Sequence, residues 1–112
     1  MIYKICERAA WRDAERAGTY PGSDVDRRDG FIHFSDAAQL GETAAKHFAG
    51  QRDLMLVAVE SDALGIAVKW EASRGGALFP HLYGPLALNA VRWVQPLPDE
   101  VAGRRAMPEL TS

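Results

Sequence analysis

The sequence predicts a single α+β domain built on a mainly antiparallel sheet, and three patterns support this prediction. Two helical patterns lie early in the chain, about six short strand patterns make up most of the rest, and the later strands are separated only by turns. Strands joined by short turns pair antiparallel, because a parallel pair needs a crossover of about a dozen residues or more. The 112 residues are enough to bury one real core.

The first strand and the first helix are predicted from adjoining patterns. Residues 2–6 form a short apolar run that is typical of a strand. Residues 7–17 repeat apolar side chains three and four positions apart, which gives one helical stripe, and Gly18 is a natural C-terminal stop. The stripe consists of Ala10, Trp11, Ala14 and Ala17.

Residues 19–29 are predicted to form a polar loop, which begins with Pro21 and Gly22 and ends with a dense charge run at residues 24–29. Two interpretations of the charge run are open. It is a solvated connection, which is the usual role of charge clusters, or it forms one wall of a site beside the strand that follows.

A strand over residues 30–35, with the sequence Gly-Phe-Ile-His-Phe-Ser, carries one ionisable side chain in an apolar run. Alternate residues of a strand face opposite ways, so Ile32 and Phe34 are predicted to enter the core. The opposite face then presents Phe31, His33 and Ser35.

A second helix is predicted over residues 36–48, with apolar positions on one face. Ser35 is expected to cap its N-terminus, since a serine side chain accepts hydrogen bonds from the first turn of a helix. His47 borders the apolar face and is expected to be partly buried and hydrogen-bonded.

Four further strand patterns occupy the second half of the chain. Residues 54–59 are apolar without alternation, which predicts a central strand buried on both faces. Residues 66–71 alternate, as a half-exposed strand does. Residues 78–83 contain Pro80, which lacks a ladder donor, so they are predicted to form an edge strand or an ordered loop. Residues 90–97 are the last strand.

The last strand sets the expected domain boundary. The single domain is predicted to span residues 1–98, where the strand patterns end. Residues 99–112 lack periodicity and are predicted to form a loosely ordered C-terminal tail.

The composition argues against several classes of protein. A net charge of −2 is unsuited to bulk nucleic-acid binding, which needs a basic excess. No apolar run approaches the roughly 20 residues of a membrane span, and no signal-peptide pattern opens the chain. The single cysteine, Cys6, is expected to be a small buried residue and suits a reducing compartment. A cytoplasmic protein is therefore expected.

Metal and serine-hydrolase sites are not expected. The three histidines, at positions 33, 47 and 81, show none of the spacings that bind metal ions. Ser35 does not lie in the Gly-x-Ser-x-Gly turn of a nucleophile elbow.

Five polar residues are the candidate site residues. A carboxylate at Glu71 can polarise a hydroxyl group or stabilise a cationic intermediate, although an exposed strand-edge glutamate is an equally simple explanation. His81 and Tyr83 offer hydrogen bonds and an aromatic face, as a nucleotide base or ribose needs, or they cover the core. The full set is His33, Ser35, Glu71, His81 and Tyr83.

The motifs of the chain resemble a bacterial family known as domain of unknown function 952. The resemblance extends from Ile2 to about Leu97 and includes Trp-Glu at residues 70–71. Its most specific motifs are Gly-Phe-Ile-His-Phe-Ser at residues 30–35 and Phe-Pro-His-Leu-Tyr-Gly at residues 79–84.

The segment around His33 and Ser35, followed by a helix with Thr43, is also similar to the Val-His-Leu-Ser segment of RNA 2′-phosphotransferases. This distant resemblance implies an ADP-ribosyltransferase-like fold, in which a cleft between two antiparallel sheets holds NAD. Only His33 and Ser35 match the motif; the phosphotransferases' basic cluster has no counterpart, and Tyr3 stands where toxin-type transferases have a histidine.

Three functional hypotheses follow. The first hypothesis is an enzyme that binds NAD as a substrate, or another nucleotide-like ligand, and transfers ADP-ribose or a 2′-phosphate, as the distant resemblance implies. Its catalytic residues would be Glu71 and His33, where the role of Glu71 rests on the chemistry of a carboxylate and not on the resemblance. In it, Ser35, His81 and Tyr83 would bind the ligand. The second hypothesis is a non-catalytic module that binds a small molecule or a protein, and the third is a small hydrolase using Glu71 and a histidine as acid and base.

Overall fold

The computed structural model describes residues 1–110. Six of the strands and two of the helices in these residues correspond to the predicted ones, and β2, β7 and α2 are additional. The order is β1 (Ile2–Glu7), α1 (Arg8–Ala17), β2 (Thr19–Tyr20), α2 (Asp24–Asp29), β3 (Ile32–His33), α3 (Leu40–His47), β4 (Leu54–Val59), β5 (Val68–Ser73), β6 (Ala77–Leu82), β7 (Leu86–Ala87) and β8 (Val91–Leu97).

All strand pairings are antiparallel, which confirms the α+β prediction. One three-stranded sheet has the order β1-β4-β8, a second has the order β3-β6-β5, and β2 pairs with β7. A bridge between Tyr3 and Ser35 joins the first two sheets, because the backbone of each residue donates a hydrogen bond to the carbonyl of the other, at 2.8 and 3.0 Å. We call these the β4 sheet and the β6 sheet after their central strands.

The β4 sheet separates two hydrophobic clusters, as the predicted central strand requires. Val57 and Val59 belong to the cluster that includes Trp11 of α1, whereas Leu56 belongs to the cluster that includes Leu40 of α3. All three β4 residues are fully buried. Apolar residues on both faces of a strand are stable only where both faces are covered, so the unbroken apolar run predicted this position correctly.

The β6 sheet has one apolar face and one polar, aromatic face. Ile32, Phe34 and Leu82 pack into the cluster around α1, which confirms the core positions predicted for the first two. The opposite face carries His33 and His81, which lie directly across from each other on β3 and β6. This second face is the one that presents the candidate site.

Residues 19–29 are not the predicted loop. Thr19 and Tyr20 form β2, and the charge run forms α2, which begins with a reciprocal capping box: Asp26 donates its backbone N–H to the Ser23 hydroxyl, and Ser23 donates its own to the Asp26 carboxylate. Such a box satisfies two of the unpaired donors of a first helical turn, which is why six charged and apolar residues form a helix here. Gly30 ends α2 with a φ of 87°.

The helix predicted over residues 36–48 corresponds to α3, which is shorter, and Ser35 does not cap it. The α-helix begins at Leu40, and the preceding turn is closed by Asp36 and Gln39, each of which donates a backbone N–H to the other's side chain, at 3.1 and 2.8 Å. The Ser35 hydroxyl bonds instead to Thr43. His47 is exposed rather than partly buried.

Two strand predictions also change. The alternating segment begins at Val68, since Ser61–Ala67 forms 3-10 turns that leave Ile66 97% exposed. Pro80 lies in the central strand β6, not in an edge strand. Its carbonyl accepts a hydrogen bond from the backbone N–H of Phe34, so the nitrogen of Pro80 also faces the segment that follows β3, and the ladder with β5 loses no donor at Pro80.

The segment after β8 contacts the body of the domain through Arg105. Its side chain donates hydrogen bonds to the carbonyls of Pro98 and Phe48, at 2.8 and 2.9 Å. Met107 and Leu110 pack against the cluster around α3. The last two residues of the predicted tail, 111–112, lie outside the described residues. Within residues 1–110, no helix is long and apolar enough to cross a membrane.

Candidate functional site

The polar face of the β6 sheet gathers four of the five predicted site residues. His81 of the central strand β6 lies opposite His33 of β3 and opposite Lys69 of β5. Opposed residues of antiparallel strands point to the same face, and residues two apart on a strand do so as well, which adds Glu71 and Tyr83. The pairing register of three strands therefore assembles this face.

Asp26 holds the imidazole of His33 in place from beneath. Its Oδ1 atom lies 2.6 Å from Nδ1 of His33 and accepts the backbone N–H of the same residue at 3.1 Å. The Lys4 ammonium lies 2.8 Å from Oδ2. Asp26 is only 2% exposed, so a buried carboxylate with several donors fixes the orientation of His33.

The charge of Asp26 is maintained by these donors. Burial alone would raise the pKa of Asp26, but hydrogen bonds from His33 and Lys4 and the charge of Lys4 outweigh it and hold the pKa well below its usual value. Burial lowers the pKa of Lys4, and the nearby carboxylate opposes that change. We conclude that Asp26 is ionised, since a carboxylate that accepts several hydrogen bonds is strongly stabilised in its charged form.

The other ring nitrogen of His33 also faces a carboxylate. Nε2 lies 3.0 Å from Oδ2 of Asp29, the last residue of α2. The imidazole thus lies between the two carboxylates of Asp26 and Asp29. Both nitrogens can donate to these acceptors only in the imidazolium form.

Glu71 forms a second carboxylate–histidine pair on the same face. The Nδ1 atom of His81 and the hydroxyl of Tyr83 both lie close to Oε1, at 2.8 and 2.7 Å. These hydrogen bonds, that of Tyr83 first, lower the pKa of Glu71, and the same contact raises the pKa of Tyr83. The Glu71 side chain is 39% exposed, so an ionised carboxylate is presented to solvent.

Phe31 covers the rings of this face. Its phenyl ring stacks on His81 with centroids 4.0 Å apart and lies 4.6 Å from the ring of His33 and 5.3 Å from that of Tyr83. The two histidine rings are 5.6 Å apart. Lys69 places its ammonium 5.1 Å from the centre of the Tyr83 ring, a cation–π contact.

Ser35 lies apart from this cluster. Its hydroxyl is 2.7 Å from that of Thr43 on α3, and Ser35 is buried. It does line the same cleft of about 950 Å³ as His33 and His81. Glu71, Phe31 and Tyr83 do not line this cleft, so it reaches the polar face only at the two histidines.

Sequence reasoning missed four residues of the site. Lys4, Asp26, Asp29 and Phe31 were not among the candidates, although all four contact a predicted site residue or its partner. Strand alternation places Phe31 on the face of His33, and one of the two interpretations of the charge run, which contains both aspartates, is a wall of a site. Two further signals existed. Lys4 is the one charge in an apolar strand, and Ser23 followed three residues later by Asp26 is a capping-box pattern.

Other chemistries find little support in the described residues. Among residues 1–110, no group of three or more histidine, cysteine or acidic side chains is arranged to hold a metal ion. Cys6 is buried, which raises the pKa of its thiol to about 12. A thiol with this pKa is protonated at neutral pH and is a poor nucleophile, as expected for a small buried residue.

The arrangement offers an ionised carboxylate, two oriented imidazoles and the rings of Phe31 and Tyr83 on one surface. Such a surface can stack a planar group, hydrogen-bond hydroxyl groups and stabilise positive charge. The buried ion pair of Lys4 and Asp26 contributes rigidity beneath it.

Comparison with solved structures finds three structures of one similar protein. The crystal structure of protein CC0527 from Caulobacter crescentus is 51% identical, with a TM-score of 0.89 over 94% of this chain and 92% of that chain. The crystal structure of a double mutant of the same protein is 50% identical, with the same TM-score and coverage. Its solution NMR structure is 54% identical, with a TM-score of 0.80 over 90% of this chain and 86% of that chain.

The family comparison agrees with the resemblance seen in the motifs. No curated protein matches the chain. The family model described as Protein of unknown function (DUF952) matches residues 5–94, which include both specific motifs and every candidate site residue. The chain therefore belongs to the DUF952 family.

Proposed function

We propose that this protein binds NAD, or a related ADP-ribosyl nucleotide, on the polar face of the β6 sheet and transfers the ADP-ribosyl group. The proposal includes an ADP-ribosyltransferase-like relation between the β4 and β6 sheets. The observation that carries it is the convergence of Glu71, His33, His81 and Tyr83 with the ring of Phe31.

Each group has a role in this proposal. The rings of Phe31 and Tyr83 stack against a planar base or nicotinamide, and His81 and Tyr83 hold Glu71 in position. Glu71 accepts a hydrogen bond from a ribose hydroxyl and stabilises the positive charge that develops on the ribose as nicotinamide leaves. His33, with Ser35 in the same cleft, binds ribose or phosphate oxygens.

The electrostatics of Glu71 favour this role. A carboxylate stabilises a cationic transition state only while it is ionised, and the donors from Tyr83 and His81 lower its pKa. Both donors approach the same oxygen, Oε1, so the carboxylate is oriented as well as charged. Orientation before the reaction is what makes such a charge effective.

The test measures binding and nicotinamide release with a matched pair of variants. Glu71→Gln removes the proposed catalytic charge, and Glu42→Gln removes an exposed, salt-bridged carboxylate on α3. We expect wild type and Glu42→Gln to bind NAD and release nicotinamide, and Glu71→Gln to bind with little change and release it about 10²-fold more slowly. Calorimetry with NAD and ADP-ribose and chromatography of nicotinamide provide the two readouts.

Two results would contradict the proposal. Absence of NAD and ADP-ribose binding at millimolar concentration would remove the ligand assignment. Equal nicotinamide release by the Glu71 and Glu42 variants would remove the catalytic role of Glu71.

A second candidate function is nucleotide binding without catalysis. Its supporting observation is that the cations around the cleft already pair with carboxylates: Lys4 with Asp26, Arg27 with Asp24 and Arg28 with Asp29. A transferase that handles a diphosphate uses cations to balance its charge. Binding of NAD by wild type with no release of nicotinamide, in the presence of cell extract as a source of acceptors, would favour this candidate.

A further inference from the structure

Asp29 lies between two side chains that commonly bind anions. Its Oδ2 atom is 3.0 Å from Nε2 of His33, and its Oδ1 atom is 3.2 Å from Nε of Arg28. The side chains of Asp29 and His33 are each 34% exposed, so the contact is at the surface of the site and open to exchange. An imidazole nitrogen and a guanidinium therefore converge on one anionic group.

The position of Asp29 is not explained by the helix that carries it. Asp29 is the last residue of α2, where the partial negative charge of the helix end disfavours a carboxylate. Its neighbours in the same turn, Arg27 and Arg28, are the charges that suit this end. The contacts with His33 and Arg28 are what offset the unfavourable location.

His33 does not depend on Asp29 for its orientation. Asp26 holds both Nδ1 and the backbone N–H of His33 from the buried side, at 2.6 and 3.1 Å. Nε2 would therefore keep its direction if the Asp29 carboxylate moved away. Gly30, which follows Asp29 with a φ of 87°, ends the helix immediately beyond it.

We propose that the Asp29 carboxylate occupies the place of an anionic phosphate group, which Arg28 and His33 bind once Asp29 has moved aside. A carboxylate presents two oxygens to a guanidinium and an imidazole ring much as one edge of a phosphate does. Asp29 is then an internal competitor that weakens binding of the true anion. The inference rests on the proposed function, since it names the groups that hold a phosphate of the nucleotide.

The competition predicts that removal of Asp29 strengthens anion binding. Asp29→Ala and the isosteric Asp29→Asn are compared with Asp24→Ala, which removes a carboxylate on the same helix that pairs with Arg27. The two alanine variants change net charge equally, so a general attraction of anions affects both. The probes are inorganic phosphate, ADP-ribose and adenosine, followed by NMR titration.

The expected result is about fivefold tighter binding of phosphate and of ADP-ribose by both Asp29 variants, the size of a lost surface ion pair. We expect less than a twofold change for Asp24→Ala, no change for adenosine, and loss of the gain when Arg28→Ala is added to Asp29→Ala. Equal gains in the Asp24 and Asp29 variants, or no phosphate binding by any variant, would overturn the inference. Circular dichroism of each variant checks that the fold is retained.

The same titrations separate this inference from the proposed function. Tighter phosphate binding by the Asp29 variants, with no binding of ADP-ribose or NAD by any protein, would support the anion site and contradict the nucleotide proposal. Binding of ADP-ribose that is equal in wild type and in the Asp29 variants would support the nucleotide proposal and contradict the anion site.

Discussion

Two carboxylate–histidine pairs lie side by side on the β6 sheet, and they differ in burial. Asp26 is buried and accepts hydrogen bonds from His33, Lys4 and Ser23, whereas Glu71 is 39% exposed and contacts His81 and Tyr83. Both carboxylates have a pKa below the usual value, because donors outweigh whatever burial opposes ionisation. Both pairs join a carboxylate to an imidazole, but only Glu71 is accessible to solvent.

This difference in burial separates a pair that stabilises the fold from a pair that is accessible to a ligand. A buried charge is costly unless every partner is present, so Asp26 and Lys4 depend on each other. Solvent screens the charge of Glu71, so its contacts add little to stability and leave the carboxylate able to receive a ligand. Burial therefore assigns Asp26 to the support of the site and Glu71 to its surface.

The largest expected effect is a loss of folding stability when the buried pair of Asp26 and Lys4 is broken. Asp26→Asn leaves the Lys4 ammonium buried without its counter-charge and should lower the free energy of unfolding by about 3 kcal/mol. Glu71→Gln likewise replaces a carboxylate by an amide, but at an exposed position, and should leave the urea midpoint close to that of wild type. Urea unfolding followed by tryptophan fluorescence measures both. Equal shifts of the two midpoints would show that burial does not distinguish the pairs.

A smaller effect is expected when acid titrates the same carboxylate. The pKa of Asp26 in the folded state lies below its value in the unfolded chain, about 3.9, so its contribution to stability is complete above that value. The contribution is lost as the pH falls through the unfolded value towards the folded one, and it amounts to roughly 2 kcal/mol. Unfolding free energies measured between pH 6 and pH 2.5 should fall less steeply for Asp26→Asn than for wild type. Parallel curves would contradict the assignment.

The predictions from sequence succeeded where the pattern was local. The apolar run of β4 and the alternation around His33 indicate which side chains are buried, because strand geometry alone decides the faces. Register was not predictable, because the pairing of β3 with β6 joins residues nearly 50 positions apart.

The predictions failed where burial depends on distant partners. Asp26 resembles its more exposed neighbours Asp24 and Asp29 in the sequence, and its burial is tolerable because folding brings Lys4, 22 positions earlier, and His33 to its carboxylate. Pro80 is expected from the sequence in an edge strand or an ordered loop, because a central strand normally needs its donor. The assembled sheet decides which neighbouring strand the missing donor faces. In this structure it faces the segment that follows β3.

The smallest expected effect concerns the hydrogen bond between Tyr83 and Glu71. Tyr83→Phe removes the hydroxyl, so the pKa of Glu71 should rise towards its ordinary value, because the donor that contributes most to lowering it is gone. In the reciprocal variant, Glu71→Gln, the pKa of Tyr83 should fall, since the acceptor charge that raises it is removed. Carboxyl and tyrosine NMR titrations follow the two groups.

The two variants measure one contact from both ends, and neither should move the urea midpoint appreciably, because both side chains are at the surface. If the pKa of Glu71 in Tyr83→Phe equals that of wild type, the bond does not hold Glu71 in solution. The orientation of the carboxylate would then rest on His81 alone, and the exposed pair would be looser than the geometry of 2.7 Å suggests. If both pKa values shift as expected without loss of stability, the exposed pair is ordered yet contributes little to folding, which is the property that a binding carboxylate needs.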